Sequence, residues 1–209
     1  MNTAAQFIQL ALQKKVLKFG QFTLKSGRLS PYFFNAGLFD DGQSLHLLAE
    51  YYAKTLKSSG LVFDMLYGPA YKGIPIATAV AMAYYRLFGE NIPVAFNRKE
   101  AKGHGEGGVL IGAPLKGKVL IIDDVVSAGT SVRESIDIIQ KNKAQVAGIA
   151  VALDRQEKGN TQLSAIEELR QQYGLATVAI ANLDDLIVCL ADDAETQGQI
   201  KAYKTKYGS

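Results

Sequence analysis

The 209-residue sequence predicts an α/β fold, a mostly parallel sheet with helices on both faces. Three observations predict it. Short runs rich in apolar residues alternate with longer stretches whose apolar residues recur at helical spacing. Val119 to Ile122 are apolar without interruption, which suits a strand buried on both faces of a parallel sheet rather than on one. The residues that stand out chemically follow the candidate strands, where ligands bind in such sheets.

Taken in order, Thr3 to Phe19 carries apolar residues at helical spacing and stops at Gly20, so one helix is expected there. Phe22–Leu24 and Tyr32–Phe34 read as short strands around the turn-forming triplet Ser26-Gly27-Arg28. Gln43–Leu56 reads as a helix closed by Gly60. Phe63–Tyr67 reads as a strand, leading through Gly68-Pro69-Ala70-Tyr71-Lys72-Gly73 into a helix that ends near Leu87. Ile92–Phe96 is the next strand. Residues 97–108 hold four glycines and no large apolar side chain, so nothing there anchors a loop to a core and a mobile loop is expected. Val109–Ile111, Val119–Ile122, Val146–Leu153 and Ala176–Ile180 read as strands. Helices are expected from near Thr130, over Leu163–Tyr173, and through most of the remainder.

Composition narrows the function. A net charge of +3 with no run of five like charges offers nucleic acid no basic face. The single cysteine, Cys189, excludes an internal disulfide and a cysteine metal cluster, and its apolar neighbours suggest a buried structural thiol. No apolar run approaches the roughly 18 residues of a membrane span. The N-terminal apolar residues precede Lys14 and Lys15, the reverse of a secretory signal, so a cytoplasmic protein is expected. No G-x-G-x-x-G follows an early strand, which argues against a dinucleotide-binding dehydrogenase.

The stretch Lys118–Ser131 carries the chemistry. It runs strand, acidic pair (Asp123, Asp124), small hydroxyl-rich loop (Ser127-Ala128-Gly129-Thr130-Ser131), helix. A helix starting near Thr130 leaves backbone N–H groups free and partially positive, a seat for phosphate. Gly129 permits close approach of the backbone, and the hydroxyls add donors. Two carboxylates repel phosphate, but they accept from sugar hydroxyls and bind magnesium. The stretch therefore asks for a sugar phosphate with a metal nearby. Lys25, Lys72, Arg98, Lys99, Lys102 and His104 lie on loops that could bring cations to it. His46, on a predicted helix without a cluster, reads as a solvated surface residue.

This segment resembles the phosphoribosyl-diphosphate (PRPP) motif of the type I phosphoribosyltransferases. The likeness runs over nearly the full length, through T-L-K-S-G-R from Thr23, S-P-Y-F-F-N from Ser30, G-P-A-Y-K-G-I-P from Gly68, F-N-R-K-E-A-K from Phe96, H-G-E-G-G from His104 and A-L-D-R-Q-E from Ala152. It is strongest toward the members that take orotate. The resemblance implies one domain over residues 1–209, with about the first 40 contributing to a small hood over the core. It implies PRPP contacts from Lys25, Tyr71, Lys72, Arg98, Lys99, Lys102, His104 and the run Asp123, Asp124, Val125, Val126, Ser127, Ala128, Gly129, Thr130 and Ser131. It places Phe33, Phe34, Ser127 and Arg155 at the orotate site. Lys102, Asp123 and Asp124 would take the catalytic roles. Mg2+ would be held mainly by PRPP and diphosphate, with a water-mediated link to Asp123 and Asp124. A homodimer sharing the 97–108 loop between subunits is also implied.

The side chains suit such an acceptor. Orotate is a flat anion, an aromatic wall suits its ring, and a guanidinium fork suits its carboxylate. The sequence has serine at 127 where the family often has threonine, which keeps the hydroxyl. It has Gly103 where the family often has aspartate, which makes the loop more basic. Two other readings stand beside this one. One is a transferase for a different base, against which Phe33, Phe34 and Arg155 speak. The other is a PRPP-binding regulator without turnover, which has no use for the 97–108 loop.

Overall fold

Strand β6 (Lys118–Asp123) lies inside a six-stranded sheet of order β5-β4-β3-β6-β7-β8. The computed structural model describes residues 2–24, 26–102, 108–127, 129–159 and 161–209; the side chains of residues 100–102 and 108 fall outside that description. Strands β3 (Met65–Gly68), β4 (Val94–Lys102), β6, β7 (Gln145–Asp154) and β8 (Ala176–Asn182) are parallel. β5 (Gly108–Gly112) is antiparallel to β4 at one edge.

Side chains alternate across a strand, and here both sides are covered. Leu66, Leu120, Ile122, Ala150 and Ala152 share one apolar cluster with residues of α1 (Thr3–Gln13), α2 (Gly42–Ser59), α3 (Gly73–Phe88), α6 (Leu183–Cys189) and α7 (Ala194–Tyr207). Met65, Tyr67, Val119, Ile121, Ile149 and Val151 share another with α4 (Thr130–Lys141) and α5 (Ala165–Tyr173). The continuous apolar run at 119–122 is therefore explained, since each of its residues is fully buried in one cluster or the other.

The topology positions the site. From β3 the chain passes through α3 to β4 and β5 on one side, then returns to β6 on the other side of β3. The strand order reverses between β3 and β6. A crevice opens at such a switch point beyond the carboxyl ends of the strands, where ligands bind.

Three sequence expectations need correction. The first helix ends at Gln13 rather than Phe19: Lys15 takes a left-handed backbone conformation (φ 57°), and the chain enters β1 (Leu17–Thr23). β1 pairs antiparallel with β2 (Leu29–Phe34), with a bulge between Phe19 and Phe22, and this pairing outweighs the helical spacing of Val16, Leu17 and Phe19. The strand expected to end at Phe96 continues to Lys102, because a sheet edge pairs through backbone and needs no apolar face for Asn97 to stand opposite Leu110. Residues 103–107, the rest of the loop expected to be mobile, lie outside the described residues. Finally, Cys189 is exposed: α6 turns Leu183, Leu186 and Leu190 inward and leaves Val188 and Cys189 outside.

Candidate active site

The acidic pair sits at the floor of the crevice. Asp123 is the last residue of β6. Its backbone carbonyl accepts from the buried Tyr52 hydroxyl of α2 at 2.7 Å. Asp124 bends away from the strand, and its carbonyl accepts from the N–H groups of Ala152 at 2.9 Å and Leu153 at 3.4 Å on β7. These backbone anchors hold both carboxylates where the strand stops. The Asp123 carboxylate accepts from the Ser131 hydroxyl at 2.9 Å and from the Asp124 N–H at 3.0 Å. Burial, and then the neighbouring Asp124 charge, push its pKa above the ordinary aspartate range, against the pull of the Ser131 hydrogen bond.

The phosphate seat follows. Gly129 caps α4 with φ +72°, a left-handed conformation that glycine adopts without strain. A cavity of about 220 Å³ opens here, lined by residues 123, 125–127 and 129–132. Ser127 and Thr130 are exposed. Ser131, expected to offer its hydroxyl to phosphate, spends it on Asp123 instead. The cavity thus sets the start of α4, whose Gly129 cap makes no side-chain hydrogen bond among the described residues, beside carboxylates, as a sugar phosphate requires.

The other wall is the turn after β3. A Cβ on Gly73 would lie 2.5 Å from Pro69 Cδ and 2.7 Å from the Ile122 carbonyl, so the turn packs directly on β6 and only glycine fits. Asn97 Oδ1 accepts from the Ala70 N–H at 2.9 Å and ties the turn to β4. The Ala70–Tyr71 peptide bond is cis. Lys72 reaches across the crevice and donates to Asp124 Oδ2 at 2.8 Å. Lys99 Nζ stands 4.9 Å from the centre of the exposed Tyr71 ring. Arg98 Nη1 is buried with no hydrogen-bond partner among the described residues, a donor left over for an anion.

Arg155 follows β7, the strand next to β6. Its Nε and Nη2 donate to Glu157 Oε1 at 2.9 and 2.6 Å. Its guanidinium carbon lies 4.6 Å from the centre of the Tyr32 ring. Phe33 and Phe34 alternate on β2 and so face opposite ways. Phe34 is 7% exposed and packs on Phe7 at 6.2 Å, whereas Phe33 is 40% exposed and stacks on Phe22 at 5.5 Å. Of the two, only Phe33 presents a ring to solvent.

The structure thus brings Lys72, Asp123, Asp124 and residues 125–127 and 129–131 to one crevice, with Tyr71 and Lys99 at the Lys72 wall. Lys25, His104, Ala128 and the Lys102 side chain lie outside the described residues. His46 pairs with Glu50 at 3.2 Å on the outer face of α2. Tyr52, Tyr32, Glu157 and Asn97 escaped the sequence reading. Glu157 alone left a signal, an acid two residues from Arg155; the others support the site through the backbone or across long stretches of chain.

Among the described residues no three His, Cys, Asp or Glu side chains group together as a protein cage. A divalent ion carried on substrate phosphates needs only one or two carboxylates and otherwise keeps its waters. The Asp123–Asp124 pair beside an anion seat fits that case.

Comparison with known proteins bears on the same residues. The phosphoribosyl transferase domain family model matches residues 37–172. An orotate phosphoribosyltransferase of Laribacter hongkongensis is 59% identical over 205 residues, covering 97% of this chain and 96% of the relative. One from Neisseria meningitidis serogroup C is 58% identical over 206 residues, with 97% and 96% covered. The crystal structure of orotate phosphoribosyltransferase from Francisella tularensis superposes with a TM-score of 0.90 at 42% identity, covering 98% of this chain and all of that one.

Proposed function

This chain belongs to the phosphoribosyl transferase family, among the orotate phosphoribosyltransferases, and from that premise we propose which of its residues do the work. The reaction is transfer of the 5-phosphoribosyl group of PRPP to N1 of orotate, giving orotidine 5′-monophosphate and diphosphate, in pyrimidine (UMP) biosynthesis. The nitrogen attacks the anomeric carbon as diphosphate leaves. Positive charge grows on the ribose ring and negative charge on the leaving group, so catalysis is a matter of positioning and electrostatics.

The 5′-phosphate occupies the turn between Val125 and Ser131. Asp123 and Asp124 accept from the ribose hydroxyls and favour the cationic ring. Lys72, Arg98 and Lys99 face the diphosphate, joined by Lys25, Lys102 and His104. Magnesium, when bound, neutralises the diphosphate, and Asp123 and Asp124 would hold it through water. Arg155 receives the acceptor's carboxylate, with Ser127 and an aromatic ring of the Phe33–Phe34 pair beside it. The single observation that carries this assignment is the acidic pair beside a helix N-terminus, with Lys72 bridging the switch-point crevice to Asp124.

Residues 1–209 form one domain, with about the first 40 contributing to the hood. Among the described residues no helix is long and apolar enough to cross a membrane, and the chemistry belongs in the cytoplasm. The working form is a homodimer sharing the 97–108 segment.

The test is the change in orotate absorbance on adding PRPP and magnesium to purified protein, with uracil and adenine as competitors. No change with orotate, or preference for another base, overturns the acceptor assignment. Mixing Lys102→Ala with Asp124→Asn subunits tests the sharing. Recovered activity requires a composite site, and its absence argues against one.

A further inference from the structure

Glu157 plays no part in the reaction as just described, yet it is tightly held. Its Oε1 collects three donors: Arg155 Nε at 2.9 Å, Arg155 Nη2 at 2.6 Å and the Tyr32 hydroxyl at 3.0 Å. The Glu157 and Arg155 side chains are both about seven-eighths buried (13% exposed). Tyr32 is fully buried and lies edge-on to Tyr203 of α7, 6.1 Å between ring centres. Glu157 is bridged through its backbone to Gly208, and the next residue, Lys158, donates its N–H to the Tyr207 carbonyl at 2.8 Å. Glu157 is therefore clamped, its carboxylate by Tyr32 of β2 and Arg155 after β7, its backbone by the end of α7.

A guanidinium has five N–H donors arranged along two usable edges. Glu157 occupies the Nε–Nη2 edge. On the Nη1–Nη2 edge, Nη1 makes no hydrogen bond among the described residues, and Nη2, which gives one N–H to Glu157, has a second to offer. We propose that Glu157 is a positioning residue for the acceptor: it locks Arg155 by one edge of the guanidinium and leaves the other edge to take the acceptor's carboxylate. This rests on Arg155 receiving that carboxylate.

The arrangement has a chemical consequence. Glu157 cancels the guanidinium's net charge, so the site selects its anion by the geometry of two parallel N–H groups rather than by field strength. Without Glu157, the arginine retains its charge but samples many rotamers, and each binding event must first order it. The Tyr32 hydroxyl adds the third constraint. Burial pushes its pKa well above the ordinary range, so it remains a donor to the carboxylate.

A rival role predicts the opposite sign. If Glu157 stood where the acceptor's carboxylate belongs, it would block binding, and removing it would tighten binding. The experiment is steady-state kinetics with orotate and PRPP varied separately, on the whole enzyme and on Glu157→Ala, Glu157→Gln, Arg155→Ala and the Glu157→Ala/Arg155→Ala double variant. Removing a charge-assisted partner should raise the orotate KM about tenfold in Glu157→Ala. The PRPP KM should stay within about twofold, and Glu157→Gln, which keeps an acceptor oxygen, should recover most of the loss. In the Arg155→Ala background the Glu157 change should add less than about twofold, since its only route is gone.

A fall in orotate KM on removing Glu157 means that it blocks the acceptor. Equal rises in both KM values, or full additivity with Arg155→Ala, reduce it to a structural residue. Each of these outcomes overturns the proposal. Should Glu157→Ala fail to fold, Glu157→Asp, which retains the charge but shortens the reach, carries the same expectations. An Arg155→Ala enzyme with an unchanged orotate KM would remove the premise, whereas failure of the wild-type enzyme to turn over orotate would overturn the reaction itself.

Discussion

Residues 123–131 supply the acidic pair, the turn and the helix N-terminus of the phosphate corner in one unbroken run of nine. The acceptor corner takes Arg155 and Glu157 from the end of β7, and Tyr32 from a strand 125 residues before Glu157. The first corner is built mainly from a strand that stops, a glycine that turns and a helix that starts, with Tyr52 and β7 anchoring its two aspartates through their carbonyls. Its carboxylates are buried at the crevice floor, but Lys72, the cation of its ion pair, is about half exposed to solvent. In the second corner the cation is buried along with its carboxylate, and the geometry exists only when β2 and α7 have packed against β7. The contrast teaches that charge in the first corner serves the ligand, while charge in the second also serves the fold.

The largest effect should come from Asp124→Asn, which preserves shape and removes charge. We expect kcat/KM for PRPP to fall by roughly 10² to 10³ while the melting temperature barely moves, because the partner Lys72 is solvated. A collapse in melting temperature would erase the distinction between the corners.

Next comes a place where the phosphate corner depends on distant packing. Gly73→Ala drives a methyl into Pro69 and the Ile122 carbonyl and should cost about 3 kcal/mol in denaturant unfolding. An unchanged midpoint would show that the turn can lift off β6.

Tyr32→Phe removes one donor from Glu157 and should cost about 1.5 kcal/mol, with a higher orotate KM and an unchanged PRPP KM. A variant with normal stability and normal orotate KM would show that the hydroxyl contributes nothing to the second corner.

The smallest effect sharpens the comparison through pH. Burial and Asp124 raise the Asp123 pKa in the folded protein, so the native state binds that proton more tightly than the unfolded chain. Its contribution to stability is present at acid pH and is lost as pH rises through the raised value. Asp123→Asn should therefore be more stable than wild type by about 1 kcal/mol at neutral pH, the gap closing as pH falls toward about 4. A gap that ignores pH would place its cause elsewhere than in this carboxylate.

Several elements were legible because their signals are local. The apolar run 119–122 marks a doubly covered strand, Gly60 ends α2, and the glycine and hydroxyl turn marks the start of α4. Local signals also misled. The spacing of Val16, Leu17 and Phe19 looks helical, but pairing with Leu29–Phe34 turns that segment into a strand. Cys189 sits among apolar neighbours, yet the helical phase of α6 carries it outward.

By itself the sequence determined the sheet's buried strands, the order of strands and helices, and an anion seat faced by two acids, because each follows from residues within one or two turns of one another. Tertiary structure alone decided that Tyr52 anchors the Asp123 carbonyl, that Phe34 enters the core while Phe33 stays out, and that Tyr32 and Glu157 clamp Arg155. Those outcomes depend on which segments the packed sheet and helices bring within hydrogen-bond reach. No spacing along the chain encodes a contact across 125 residues.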